Sequence, residues 1–197
     1  MRCTRVSSSP RPSDEPAPGE VGATVNPDTW GLRPLVDDDV DAVHAIYSDP
    51  DTWSHRPDGR FERVEQSRAR VREVVAAWRA EGLGPWAVLV RDELVGVGGV
   101  TPMTRWWNLG VRLSPDVWGH GLATWVVEVA LGAAHRTHAD WPVVARSLST
   151  NPASVRVSEN AGLALAHVEP WPDGISRVVH ADRPVDRDLV RSVLTLD

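Results

Sequence analysis

Two glycines stand two residues apart where a strand pattern passes into a helical pattern. The stretch from Trp107 to Leu131 alternates as a strand, turns at Gly119 and Gly121, and continues with helical periodicity. Such a turn directs several backbone N–H groups and the positive end of a helix dipole at one point. That arrangement binds a pyrophosphate without cationic side chains. The sequence therefore predicts a site for a phosphate-bearing cofactor.

The glycine spacing excludes two common phosphate-binding loops. Dinucleotide-binding folds need G-x-G-x-x-G, and nucleoside triphosphate loops need a lysine followed by Ser or Thr after the last glycine. The first pattern is absent here, and the chain contains no lysine at all. A third loop type must account for these glycines if they bind phosphate.

The loop from Trp118 to Ala123 resembles the Q/R-x-x-G-x-G/A acetyl-CoA loop of the GNAT family of N-acetyltransferases. Gly121 and Ala123 match its last two small positions. The first position holds Trp118 where the general pattern has Gln or Arg. That replacement is frequent in the branch that resembles the ribosomal-protein N-terminal acetyltransferases.

A second segment, about thirty residues further on, supports the resemblance. The stretch from Asn151 to Leu163 is predicted to be a short helix with Asn151 as N-cap, Pro152 at its first position and Gly162 as its stop. It is similar to the family segment N-x-x-S-x-R-V-x-E-x-x-G-(F/L). The matching residues are Asn151, Ser154, Arg156, Val157, Glu159, Gly162 and Leu163. Helix capping alone also explains Asn151 and Ser154, so both interpretations stay open.

The resemblance implies that acetyl-CoA is the acyl donor and a primary amine the acceptor. The cofactor-binding residues that it implies are Val111, Arg112, Leu113, Trp118, Gly119, His120, Gly121, Leu122, Ala123, Thr124, Asn151 and Ser154. A backbone N–H around Val111 to Leu113 is expected to fix the thioester carbonyl. For His120, a solvated side chain that points away from the phosphates is the alternative.

The acid and base of such a transfer differ from those of many relatives. Asn108 stands two residues before the strand glycine, where relatives often have a glutamate base, and an amide cannot usefully accept a proton. Many relatives also have a tyrosine acid beyond the second segment, whereas the only tyrosine here is Tyr47. Ser149 is the candidate that would polarise the departing thiolate, although it also fits an ordinary strand-end hydroxyl. The base is left open among Glu62, His55, Asp51 and water.

These departures leave more than one class of function open. The first hypothesis is a CoA-dependent N-acyltransferase that transfers acetyl to a protein N-terminus or a small-molecule amine. The alternative is a catalytically silent acyl-CoA-binding or sensor domain, since Asn108 and the missing tyrosine remove two usual proton carriers. A third is an unrelated nucleotide-binding protein.

Composition agrees with one enzyme-sized domain. With 197 residues and 42% hydrophobic residues, the chain can bury a core of its own. The net charge of −6 argues against direct nucleic-acid binding, and no apolar run reaches the length of a membrane span. The lone Cys3 excludes an internal disulfide framework, and the histidines show no metal-ligand spacing. The cytoplasm is the default expectation, and a homodimer stays open.

Around these motifs the sequence predicts one α/β (α+β) domain of the GNAT type, with a mixed, mostly antiparallel central sheet flanked by helices. The predicted strands are 30–36, two strands within 85–103 joined by a turn at Asp92 and Glu93, 106–114, 142–149, 163–169 and 176–180. The predicted helices are one begun by Asp37 to Asp39, 63–81, one after the cofactor loop, and 151–163. The expected divisions are a flexible Pro/Ser-rich tail at 1–28, the domain at 29–183 and a C-terminal extension at 184–197.

Two further groups of residues carry expectations. Gly96, Gly98 and Gly99 stand inside a strand pattern with no helix after them, which predicts a bulge or a close backbone approach. The ten tryptophans are expected mainly in the core and its rim. Trp53, Trp106 and Trp107 are the best candidates for a role outside the core, because they flank predicted loops or a strand start.

Overall fold

A computed structural model describes residues 30–170 and 174–196, and the predicted tail at 1–28 lies outside them. The strands in this part are β1 (Trp30–Pro34), β2 (Trp86–Val90), β3 (Glu93–Pro102), β4 (Trp107–Leu113), β5 (Val143–Leu148), β6 (Ala164–Pro170) and β7 (Ser176–Ala181). The α-helices are α1 (Val40–Tyr47), α2 (Val64–Glu81), α3 (Leu122–Thr137), α4 (Pro152–Asn160) and α5 (Arg187–Leu194). The predicted single domain and element order are confirmed, and α5 is an addition.

The seven strands form one sheet in the order β1-β2-β3-β4-β5-β7-β6. Every neighbouring pair is antiparallel except β4 and β5, which are parallel. The hairpin between β2 and β3 turns at Arg91 and Asp92, which have φ of 51° and 64°. Positive φ at both central residues is the geometry of a type I′ turn, which suits a two-residue hairpin loop. The turn therefore lies one residue before the predicted one, and Glu93 already pairs with Val90.

The helices cover the two faces of the sheet in different groups. On one face, α3 packs against β3 and β4, and α4 contacts both α3 and β5. On the other face, α1 and α2 cover the first half of the sheet, while α5 packs its buried Val193 against Val144 and Val179. Along β4, Leu109 and Leu113 point into the α3 side of the core. The alternate residues of β4 therefore face the side of α1 and α2.

Helix α5 ties the predicted C-terminal extension to the sheet. Asp186 is its N-cap and accepts a hydrogen bond from the backbone N–H of Leu189 at 2.8 Å. At the other end, Arg177 donates to the carbonyl of Leu194 at 2.6 Å. Cations suit this end of a helix because its last carbonyls lack partners within the helix.

Two tryptophans that were expected outside the core are buried. Trp106 is 3% exposed and Trp107 is fully buried. The Trp107 ring lies 5.7 Å from His138 and 5.3 Å from Trp141, between ring centroids. Trp106 lies just before β4 and Trp107 begins it, and the two side chains pack into separate core clusters, so neither is available for a ligand.

The predicted close approach at the β3 glycines is confirmed. A Cβ at Gly96 would lie 2.7 Å from the carbonyl oxygen of Arg112, and one at Gly98 would lie 2.8 Å from Val126 of α3. The pairing of β2 with β3 shifts beside Gly96, between Val88 and Leu89, as a bulge would require. These glycines let β3 lie directly against β4 and α3.

We expect Gly96→Ala to lower the free energy of unfolding by about 1 to 3 kcal/mol, because the added methyl group overpacks a rigid backbone contact. Gly110→Ala is the matched control, since its Cβ meets nothing within 4 Å. Denaturant unfolding of both variants measures the difference. Equal stability of the two variants would show that the contact at Gly96 is not a constraint.

Candidate functional site

The sheet opens between its two parallel strands. β4 and β5 pair only from Trp107 opposite Val143 to Leu109 opposite Ala145. Both strands then continue, β4 to Leu113 and β5 to Leu148, but they no longer pair with each other. The result is a wedge-shaped opening at the carboxyl ends of two parallel strands, which we call the β4–β5 cleft. Carboxyl ends of parallel strands are common ligand sites.

The β4 edge of this cleft presents backbone donors. The N–H of Trp107 donates toward β5, to Pro142, and the N–H of Ser114 donates toward β3, to Val95. Because N–H directions alternate along a strand, Val111 and Leu113 direct theirs into the cleft. The N–H of Arg112 lies on the β3 side. Of the three residues predicted to fix the thioester carbonyl, only Val111 and Leu113 therefore direct an N–H into the cleft.

The loop after β4 fits the approach of a phosphate to the backbone. Gly119 and Gly121 have φ of 80° and 84°, a region that favours glycine. A Cβ at Gly119 would meet nothing within 4 Å, and one at Gly121 would meet only Trp30 at 4.0 Å. Trp118, whose indole N–H donates to the Leu113 carbonyl at 3.0 Å, is 48% exposed. The space over both glycines is therefore open.

The N-terminus of α3 supplies unpaired donors at this loop. Gly121 is its N-cap and therefore has no capping side chain, and the first turn carries no acidic residue. The first-turn N–H groups of Leu122, Ala123 and Thr124 are consequently free to meet an anion. The Leu122 side chain is buried, so only its backbone can serve, and His120 is exposed.

The second predicted segment begins at the same edge of the sheet. Asn151 is the N-cap of α4, as predicted, and its Oδ1 accepts from the N–H of Ser154 at 3.1 Å. The Ser154 hydroxyl lies 2.7 Å from the hydroxyl of Ser147 on β5. Because β4 and β5 are parallel, the helices that follow them, α3 and α4, both begin beside the cleft.

Ser149 lies just past the end of β5 and is exposed. Its Oγ accepts from the backbone N–H of Ser176 at 2.9 Å, and its own N–H donates to the Ser176 carbonyl at 2.8 Å. The ordinary strand-end role is therefore present. The hydroxyl proton has no acceptor among the described residues and is free to be donated.

The opposite face of β4 carries a cation on an aromatic surface. The Arg112 guanidinium donates to the Thr52 carbonyl and lies 3.4 Å from the centroid of the Trp53 ring and 5.3 Å from that of Tyr47. Burial lowers the pKa of Arg112 from its ordinary value. We call Tyr47, Trp53, His55 and Arg112 the Arg112 cluster. The contact from Arg112 to Thr52 spans 60 residues, so no local sequence pattern signals it.

One of the candidate bases lies in this cluster. The His55 ring is stacked on Trp53, with centroids 6.5 Å apart. Burial, followed by the charges of Arg112 and Arg56, lowers the pKa of His55 below its ordinary value. The imidazole is therefore neutral at neutral pH and able to accept a proton. Asp51 and Glu62 are exposed, and no side-chain contact ties either to β4.

Asn108 lies on the same face of β4 as Arg112, opposite Thr101 of β3 and Val144 of β5. Gly110 lies between them, is exposed, and leaves open space where a Cβ would stand. The cleft can thus be reached along β4 on the face opposite α3.

Two negative findings apply to residues 30–170 and 174–196. No helix in this part of the chain is long and apolar enough to cross a membrane. No three His, Cys, Asp or Glu residues lie together in a way that could hold a metal ion.

Solved structures share this architecture. A GNAT-family acetyltransferase from Bacillus anthracis is 21% identical, with a TM-score of 0.65 over 79% of this chain and 95% of its own. The Salmonella typhimurium acetyltransferase that modifies the N-terminal serine of ribosomal protein L7/L12 is 19% identical, with a TM-score of 0.65 over 80% and 96%. YncA of Salmonella typhimurium, solved with acetyl-CoA, is 16% identical, with a TM-score of 0.64 over 81% of this chain and 95% of its own. At these identities the likeness establishes the fold.

The sequence itself matches the model of the acetyltransferase (GNAT) domain over residues 29–164. This range includes the β4–β5 cleft, the loop that carries Gly119 and Gly121, and the N-terminus of α4. The chain therefore belongs to the GNAT acetyltransferase family.

Proposed function

We propose that this protein transfers an acetyl group from acetyl-CoA to a primary amine, either a protein N-terminus or a small molecule. The observation that carries the proposal is the β4–β5 cleft, with the N-termini of α3 and α4 beside it. Family membership supports acetyl-CoA as the donor. The Salmonella neighbours support both parts, since one was solved with acetyl-CoA and another modifies a protein N-terminus.

The residues of the cleft fit the donor without any cationic side chain. Backbone N–H groups from Gly119 to Thr124 would bind the pyrophosphate, helped by the dipole of α3. Asn151 and Ser154 would line the other side of the cleft through the first turn of α4. When bound, acetyl-CoA supplies an activated thioester, and the N–H of Val111 or Leu113 would polarise its carbonyl.

Two proton transfers then need residues of this chain. His55 is neutral and belongs to a cluster that packs against β4, so it is our candidate to take a proton from the acceptor ammonium, directly or through water. Asn108 cannot do so. Ser149 has a free hydroxyl proton beyond the end of β5 and would donate it toward the departing thiolate.

The amide at Asn108 favours one alternative, a domain that binds acyl-CoA without turnover. A release assay separates the two functions, because only an enzyme liberates free thiol when an amine is added. A broad amine panel that yields thiol above the amine-free rate supports the transferase. Saturable acetyl-CoA binding without thiol release from any amine would favour the silent binder.

We expect Gly121→Val to abolish measurable acetyl-CoA binding, because a side chain would stand where the pyrophosphate meets the backbone. Positive φ makes this variant strained by about 1 to 3 kcal/mol. Gly82→Val is the matched control, since Gly82 has φ of 67°, open surroundings and a place at the end of α2. Calorimetry on the folded variants should show lost affinity for the first and retained affinity for the second. Unchanged affinity at Gly121→Val would remove this loop from the site.

We expect Ser149→Ala to lower kcat with little change in affinity for acetyl-CoA, because the hydroxyl would act mainly in the transition state. Ser149→Thr keeps the hydroxyl and should keep most of the turnover. Steady-state kinetics and calorimetry together measure both quantities. Equal kcat in the wild type and Ser149→Ala would dismiss Ser149 as the acid.

We expect His55→Gln to lower kcat by about 10² to 10⁴-fold, the usual contribution of a positioned base. The lowered pKa keeps His55 deprotonated below its ordinary pH range, so wild-type kcat/KM should fall on acidification only below about pH 6.5. Arg56→Met removes one positive charge that lowers this pKa and should move the acid limb to higher pH. A pH profile that is identical in all three proteins would exclude His55 as the base.

A further inference from the structure

Arg112 is a partly buried cation with no carboxylate partner among residues 30–170 and 174–196. Its neighbours are the carbonyl of Thr52 and the ring faces of Trp53 and Tyr47. A charge in such a position loses hydration without gaining a counter-ion. Arg33, by contrast, is neutralised by Asp39 at 2.7 Å.

The surface beneath Arg112 is built to stay in place. Thr52 is 5% exposed and its hydroxyl donates to the carbonyl of Ile46 at 3.0 Å, which positions the backbone that binds Arg112. The Trp53 indole N–H donates to the Tyr47 carbonyl at 2.6 Å. Gly59 makes room for the ring, since a Cβ there would lie 2.4 Å from Trp53. The guanidinium is therefore preorganised, and a ligand would not have to order it.

The position of Arg112 relates it to the open face of the cleft. Two residues separate Cα atoms on one side of a strand by roughly 7 Å. Gly110, exposed and with open space above it, lies that far from Arg112 on the same side of β4. The neighbouring Val111 directs its N–H into the cleft. A molecule that lies over Gly110 can thus reach both the cleft and the guanidinium.

The chemistry of the guanidinium defines what it can bind. It has five N–H donors, of which one is used by Thr52. Its planar fork matches a carboxylate or a phosphate better than a point charge would. With a net charge of −6, the chain as a whole does not attract anions, so selectivity for one must come from a local group.

We propose that Arg112 is the specificity-determining residue of the acceptor site and binds an oxyanion of the acceptor. The acceptor is then a primary amine that carries a carboxylate or a phosphate within a few bonds of the nitrogen. This assignment rests on the proposed acetyl transfer for its catalytic meaning, whereas the binding of the oxyanion can be measured separately.

Matched dipeptide amides test the assignment. Asp-Ala amide and Asn-Ala amide form one pair, which tests a carboxylate against a neutral amide. Phosphoserine-Ala amide and Ser-Ala amide form the second pair, which tests a phosphate against a hydroxyl. Binding of each to the full chain with CoA present is measured by calorimetry, and acetylation by thiol release. We expect the anionic member of one pair to bind about 10- to 100-fold more tightly, which is the range expected for a charge-assisted hydrogen bond. Its kcat/KM should be higher by a similar factor. The preferred pair identifies carboxylate or phosphate as the oxyanion.

Three variants assign the preference to Arg112. Arg112→Met should lower the affinity for the anionic peptide to that for its neutral partner, while the affinities for the neutral peptide and for acetyl-CoA stay unchanged. Arg112→Lys should keep part of the preference, because it retains the charge but loses the planar fork. Arg60→Met removes an exposed cation of the same loop and should leave the preference unchanged. The wild-type comparison needs no variant and stands even if Arg112→Met fails to fold.

The outcomes separate the two proposals. Acetylation of anionic and neutral peptides at equal kcat/KM, or equal or absent binding of both members of each pair, overturns the role of Arg112. A preference that survives in Arg112→Met overturns it as well. Tighter binding of the anionic peptides without thiol release supports Arg112 and overturns the acetyl transfer.

Discussion

The parting of β4 from β5 is the constraint on which the rest of this structure depends. Strand pairing normally satisfies every backbone group along an edge, and here it stops after Leu109 and Ala145. The unpaired stretch of β4 leaves backbone groups open in the middle of a sheet, where we propose that acetyl-CoA binds. It also places the starts of α3 and α4 at one opening, so that backbone donors from three segments converge where the chain has no lysine.

Because side chains alternate along a strand, the two faces of β4 contribute to different halves of the proposed site. Leu109 and Leu113 pack into the core beneath α3, the helix whose N-terminus carries the proposed phosphate-binding loop. Asn108, Gly110 and Arg112 face the other way, toward the loop between α1 and α2. The donor half of the site is thus made from residues close together in sequence. The opposite half joins segments about 60 residues apart.

This division explains what could be predicted from the sequence. The helix from Pro152 to Asn160 was predictable because its cap, its first-position proline and its stop are local signals. The Arg112 cluster was not, because Trp53, His55 and Arg112 were candidates for separate reasons and no local pattern joins residues about 60 positions apart. Helix α5 did leave a signal, in Asp186 as N-cap and in Leu189 and Val193 four residues apart on one face. Trp107 was misjudged because a strand start does not reveal which faces of the sheet are covered.

The glycines of β3 also help to fix which residues of β4 face each side of the sheet. A slip of one residue between β3 and β4 would exchange the residues that face α3 with those that face the α1–α2 loop. Gly96 lies opposite Leu113 and Gly98 opposite Val111, so each glycine receives a bulky neighbour that a side chain would exclude. In a register shifted by one residue, Leu113 would meet Val95 or Val97 instead, and Val111 would meet Val97 or Gly99. The absence of side chains at Gly96 and Gly98 therefore helps to fix which face of β4 is turned toward α3 and which toward the loop between α1 and α2.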